Sequence, residues 1–191
     1  MNSQNGYDIE DLSLGMSASF AKTITEADIV MFAGVSGDNN AIHINEEFAC
    51  STAFGGRIAH GILTASVISA AIAGRLPGPG SVYLEQSMRF CAPVRPGDTV
   101  HAIVTVKAIE ADRGRVTLDT TCKVAGKAVI EGEAMVRVDS RLKRERRASV
   151  PAGISGAVPA PPGPRYPDPD TVPENRRGQR LPPSCKTYPP L

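Results

Sequence analysis

The chain has 191 residues, 41% of them hydrophobic, with four cysteines, no tryptophan and a net charge of +1, room for one ordinary domain and an appendage. The charge is unevenly spread: residues 1–140 carry 11 Lys and Arg against 16 Asp and Glu, a net of −5, while residues 141–191 carry 10 against 4, a net of +6. A mildly acidic body argues against nucleic-acid binding, interrupted apolar stretches argue against a membrane span, and the opening Met1-Asn2-Ser3-Gln4-Asn5-Gly6 leads us to expect no secretory signal.

Leu14 to Ile24 reads as an opening strand. Thr25-Glu26-Ala27-Asp28 has the form of a capping box, and Ile29, Val30, Phe32 and Ala33 follow it, so a short helix is predicted over about 26–35. Gly37-Asp38-Asn39-Asn40 is a turn cluster. Asn45-Glu46-Glu47 starts another short helix, with its acids at the positive end. The loop Gly55-Gly56-Arg57-Ile58-Ala59-His60-Gly61 leads into Ile62–Gly74, where no charge occurs and every face is apolar or small. Such a helix is expected to be buried all round, and at about 20 Å it is too short to cross a bilayer. Leu76-Pro77-Gly78-Pro79-Gly80 ends it.

Four strands follow: Val82 to Ala92, Thr99 to Glu110, Arg115 to Val124 and Ala128 to Val138. Val100, Ala102, Val104 and Val106 alternate on one face of the second, and Val116, Leu118, Thr120 and Cys122 on one face of the third. Turns at Pro93–Asp98, Asp112–Gly114 and Ala125–Lys127 imply a consecutive antiparallel meander. One helix against an antiparallel sheet is an α+β layer architecture, and burying that helix on all sides needs the sheet to curl around it.

Twelve of the 16 prolines lie in residues 151–191, a segment with few large aliphatics that is expected to be disordered, with local polyproline II character. The run Arg141-Leu142-Lys143-Arg144-Glu145-Arg146-Arg147 before it reads as a solvated, charged exit from the last strand, the alternative being a patch for an anionic partner. The expected organisation is an N-terminal extension over 1–10, a domain over 11–140 and a tail over 141–191. Cys50, Cys91, Cys122 and Cys185 are scattered, with no Cys-x-x-Cys pair and no histidine at metal spacing. Free, mostly buried thiols in a reducing cytoplasm are expected, with neither disulfides nor a metal site.

The chemistry concentrates in Phe32–His43. Asp38 and His43 stand five residues apart in a turn between two predicted helices. A carboxylate and an imidazole on one turn can hold a single water between a base and an acid, as addition of water to a double bond requires. Taken singly, Asp38 reads as a turn or cap residue and His43 as a satisfied, half-buried histidine. Their combination, ahead of an apolar helix, favours catalysis.

The Gly37-Asp38-x-Asn40-x-x-His43 core, followed by Phe48, Ala49 and Arg57-Ile58-Ala59-His60-Gly61, resembles the signature of the MaoC-like, (R)-specific enoyl-CoA hydratases (the hydratase 2 group). Leu76-Pro77-Gly78, Tyr83-Leu84-Glu85-Gln86 and Pro93-Val94-Arg95-Pro96-Gly97-Asp98 fit the same pattern, so the resemblance covers about residues 11–139. It departs at Ala41, where the family usually carries proline, and the tail after Ser140 has no counterpart in the minimal domain. The resemblance implies the hot-dog fold, a curved antiparallel sheet wrapped around one long helix. It implies that Asp38 and His43 hold the water that adds across the 2,3-double bond of an enoyl thioester.

Around that pair, Asn40 is expected to orient the loop, an Asx turn being the equal alternative. The Gly61 N–H, at the positive end of the apolar helix, suits a thioester oxygen gaining negative charge. Ser69 matches a family position near the catalytic water, His60 is expected to fix loop geometry, and His101 is given no role. Arg57, Arg89 and Arg95 are possible contacts for CoA phosphates. The resemblance implies an acyl-CoA or acyl-carrier thioester as substrate, no separate cofactor, no metal, a cytoplasmic homodimer and a place in fatty-acid metabolism. Two other functions remain open. One is a hot-dog thioesterase, disfavoured because Ile62–Gly74 has no Asp or Glu; the other is a non-catalytic acyl-thioester-binding subunit.

Overall fold

The computed structural model describes residues 6–149; the proline-rich segment 151–191, with its expected disorder, and Cys185 lie outside the described residues. Alternation every second residue builds a five-stranded antiparallel sheet: β1 (Ser17–Thr23), β2 (Val82–Phe90), β3 (Thr99–Glu110), β4 (Arg115–Val124) and β5 (Lys127–Arg137). Val100, Ala102, Val104 and Val106 of β3 and Val116, Leu118, Thr120 and Cys122 of β4 are all buried on one face, as the pattern requires.

The strand order is β1-β3-β4-β5-β2, which corrects the consecutive meander. Only β3, β4 and β5 follow one another; β2 pairs with β5, Ser87 opposite Glu133 and Arg89 opposite Glu131. The segment between β2 and β3 is therefore a crossover rather than a hairpin turn. Buried Val94 holds it down, and the Ala59 N–H donates to the Val94 carbonyl at 2.7 Å. Periodicity identifies a strand but not its neighbour, and sequential strands lie side by side only about two-thirds of the time.

The helices are α1 (Glu26–Ser36), α2 (Ala41–Ile44), α3 (Glu46–Cys50), α4 (Gly61–Gly74) and α5 (Arg141–Ser149). The capping box at Thr25 and Asp28 is formed, and Gly37 closes α1 at φ +77°, a conformation that glycine adopts without steric cost. The one-turn helix α2 was not expected. Its local sequence offers one cap and too few residues for a periodic signal.

Helix α4 packs on β1, β3 and β4. Leu63, Thr64, Ala65, Val67, Ile68, Ala71 and Ile72 face the core. Burial all round is corrected, because Ile62 is 57% exposed and Ser66, Ser69 and Ala73 share its open face. The layering is α+β, one long helix against an antiparallel sheet, as the hot-dog resemblance implies. No helix among the described residues is long and apolar enough to cross a membrane.

Within the expected N-terminal extension Ile9 is buried, and its N–H donates to the Asp139 carbonyl at 2.9 Å. The basic run is exposed over 141–146, as a solvated exit requires, and it is helical. Ser140 caps α5 by accepting from the Lys143 N–H at 3.1 Å. Arg141 pairs with Asp11 at 3.2 Å, and Arg144 with Asp8 at 2.7 Å. Among the described cysteines only Cys122 is buried, which pushes its thiol up to about 12; Cys50 and Cys91 are exposed, against expectation.

Candidate active site

The turn after α1 is built by short side chains bonding to nearby backbone. The Ser36 hydroxyl accepts from the Asp38 N–H, and Asp38 Oδ1 accepts from the Asn40 N–H, each at 3.2 Å. Asn40 in turn caps α2, its Oδ1 accepting from the Ile42 N–H at 3.3 Å. The second oxygen of Asp38 is left facing His43.

His43 sits in α2 and is buried. Its Nδ1 lies 2.8 Å from the Ile58 carbonyl. A carbonyl can only accept, so Nδ1 carries hydrogen and fixes the ring's orientation. His43 Nε2 then lies 3.9 Å from Asp38 Oδ2. That is too long for a direct hydrogen bond. It is short enough for one oxygen atom to sit within hydrogen-bond reach of both groups. Asp38 reaches this point from the solvent side, its side chain 51% exposed, and His43 from the protein side.

A cavity of about 650 Å³ opens at this pair, lined by Phe32, Phe54, Ile58, Gly61, Phe90 and Ile130 among others. Its walls are mainly apolar, with Asp38, His43 and His60 at one side. Gly61 begins α4 at the cavity wall, and its N–H lies in the first turn, which has no intrahelical acceptor. The ring of Phe90 stands against it: a Cβ at Gly61 would lie 2.8 Å from Phe90 Cε1. Glycine is what permits this approach.

The other expected residues fall as follows. Asn40 is exposed and serves as the cap of α2, and the cavity wall does not include it. Ser69 lies on the open face of α4 and is not among the residues of the wall. Sequence spacing put it on the helix without saying which face the sheet covers. His101 is exposed. Arg57 is committed to Glu26 and Glu46, at 2.7 Å each, and ties α1 to α3; the guanidinium holds the Glu46 carboxyl below the ordinary range. Arg89 pairs with Glu131 at 2.8 Å, and Arg95 donates to the Phe54 carbonyl. These bonds occupy groups that were candidates for CoA phosphates.

Donor atoms of Asp38, His43 and His60 lie within 4.8 Å of one another, the one such cluster among the described residues. The two imidazoles, however, are stacked, centroids 3.9 Å apart and planes 33° apart. His43 Nδ1 and His60 Nε2 are each bonded to a backbone carbonyl, which leaves His43 Nε2 and His60 Nδ1 as the unbonded ring nitrogens of the cluster.

Phe90 and the Ile58 carbonyl escaped the sequence. Nothing in a strand's alternation marks Phe90 as a cavity wall. A backbone acceptor has no residue-type signature at all.

Comparison with known proteins matches residues 13–129 to the MaoC like domain family. The chain is 57% identical over 132 residues to the (R)-specific enoyl-CoA hydratase of Rhodospirillum rubrum, covering 69% of this chain and 92% of that protein. It is 47% identical to the 3-hydroxybutyryl-CoA dehydratase of Methylorubrum extorquens, covering 69% and 84%. Among solved structures, R-hydratase PhaJ1 from Pseudomonas aeruginosa superposes with a TM-score of 0.67 at 40% identity, covering 71% of this chain and 87% of that one. The (R)-hydratase from A. caviae gives 0.66 at 39%, covering 68% and 98%.

Proposed function

Because the chain belongs to the MaoC-like domain family, we propose that it is an (R)-specific 2-enoyl-CoA hydratase, a hydro-lyase whose single site also works in reverse as a 3-hydroxyacyl-CoA dehydratase. The observation that carries this reading is the 3.9 Å opening between Asp38 Oδ2 and His43 Nε2 at the edge of an apolar cavity.

One water bound across that opening supplies both new substituents. Its oxygen adds to C3 of the trans-2-enoyl thioester, one O–H bond breaks, and the C2–C3 π pair moves into the thioester as an enolate. A proton held by the pair then goes to C2 as the enolate collapses. Asp38 and His43 touch the same oxygen, so hydroxyl and proton arrive on one face, and the addition is syn. In this reading the Gly61 N–H, with the partial positive charge of α4 behind it, donates to the enolate oxygen; its support is that α4 begins at Gly61 on the cavity wall. The apolar wall takes the acyl chain. No group in this sequence of steps calls for a redox cofactor or a metal, and CoA or an acyl-carrier arm enters as part of the substrate.

The working unit in this reading is a homodimer in a reducing cytoplasm. Its support is the open face of α4, the apolar side chains exposed on β2 and the exposed thiols Cys50 and Cys91. The test is loss of the conjugated absorbance of crotonyl-CoA and longer enoyl-CoA substrates, with chiral analysis of the 3-hydroxyacyl product. Saturable binding with unchanged absorbance would overturn the reading in favour of a binding subunit. Release of free thiol would overturn it in favour of a thioesterase.

A further inference from the structure

We infer that His60, which is no part of the Asp38/His43 pair, is the positioning residue that sets the separation of that pair. The inference rests on the hydratase reading for its catalytic readout. His60 is 2% exposed, and three contacts define its place. Its Nε2 lies 3.0 Å from the backbone carbonyl of Asp38. Its ring stacks on the ring of His43 at 3.9 Å between centroids. Its ring also meets Phe32, 4.9 Å between centroids. One buried ring therefore holds the backbone that carries the carboxylate and the face of the imidazole that opposes it.

The tautomer follows from the partners. The Asp38 carbonyl only accepts, so Nε2 is the protonated nitrogen. Nδ1 is buried without a hydrogen-bond partner, the one such side-chain atom among the described residues. His60 thus serves as a hydrogen-bond donor and a flat packing surface.

Its own backbone is fixed as well. The Ala59 N–H donates to the Val94 carbonyl at 2.7 Å, and the Thr64 hydroxyl donates to the His60 carbonyl at 3.3 Å. Asp38 otherwise sits on an exposed turn held by contacts within Ser36–Asn40, all local. The Nε2 bond is the described hydrogen bond that joins this turn to a residue distant in sequence. Orphaning a buried nitrogen costs stability, and here the bond to the Asp38 carbonyl and the contact with the His43 ring span the two groups that stand 3.9 Å apart.

His60→Phe keeps the stacked ring and deletes the donor; His60→Gln keeps a donor at similar reach and deletes the ring. His60→Phe is expected to lower kcat about 10- to 100-fold, the order of a misplacement near 1 Å, with KM within a factor of about two. His60→Gln recovers part of that loss. Since His60 acts through Asp38, His60→Phe placed in an Asp38→Asn background costs little more. An equal cost in both backgrounds, or wild-type kcat in His60→Phe, would overturn the inference. Amide exchange supplies a readout without substrate: the 37–40 amides exchange faster in His60→Phe and return toward wild type in His60→Gln. Unchanged exchange sinks the positioning role. A wild-type protein inert toward enoyl thioesters, with the exchange response intact, sinks the hydratase reading and leaves the role of His60 standing.

Discussion

The two oxygens of Asp38 face different ways, and that division makes a substitution informative. Oδ1 accepts from the Asn40 N–H at 3.2 Å and shapes the turn; Oδ2 faces His43 Nε2. Asp38→Asn keeps an acceptor for Asn40 and removes the charge, so the turn persists while the base or acid is lost. Turnover should fall about 10²- to 10⁴-fold with little change in melting temperature. His43→Ala should lose activity on the same scale. It also strips the Ile58 carbonyl of its donor and His60 of its stacking partner, so it should unfold at lower temperature, by about 1–3 kcal/mol. Steady-state kinetics beside thermal unfolding separates the two effects, and wild-type turnover in both variants would remove the assignment. The pair was legible in the sequence because both members sit on one local turn. Their anchors were not legible, since the Ile58 carbonyl, the Val94 carbonyl and the ring of Phe90 reach the site through tertiary packing.

Helix α2 explains the position at which this chain departs from its family's pattern. Ala41 is the first helical residue after the cap Asn40, a place where proline's missing N–H has no intrahelical partner to lose. Asn40 already has φ −57° and ψ 131°, the extended conformation that a following proline demands. Ala41→Pro should therefore be accommodated and stabilise the protein by about 0.4–1 kcal/mol through the unfolded chain; a fall in melting temperature would contradict this geometry. At α1 the cap carries a pH signature. The Thr25 backbone N–H and hydroxyl donate to Asp28, and Lys22 lies 3.0 Å from it, which holds its carboxyl below the ordinary aspartate range. A carboxyl lowered on folding stabilises above its unfolded value and loses that contribution as pH falls through the folded one. Asp28→Asn should cost about 0.3–1 kcal/mol at neutral pH, and its gap from wild type should narrow in acid. Capping boxes, alternation and helix stops are local statements, so α1, α4 and the β3 and β4 faces could be read from the chain. The partner of β2 and the exposed side of α4 depend on what packs where, and alternation does not encode that.

At the scale of the molecule, the two ends of the described chain fasten to each other. Ile9 enters the core, and Asp8 and Asp11 pair with Arg144 and Arg141. The acidic body and the basic run, opposite in charge along the sequence, thus meet at α5. The sheet's other edge is left open. On β2, Tyr83 is 39% and Phe90 51% exposed, and Leu84, at 38%, falls at a bulge and has no register partner in β5. An edge strand that presents apolar side chains without lysine or proline invites pairing with another copy, and a twofold-related β2 would bury the same residues on both sides. Light scattering should then give about twice the 20.1 kDa chain mass. Leu84→Lys places a charge in that interface and should shift the protein toward monomer. Phe90, on the same strand, lines the cavity, so the monomeric variant should also lose affinity for enoyl-CoA while Asp38 and His43 remain intact. A monomeric wild type, or a Leu84→Lys protein still dimeric, would place the interface elsewhere.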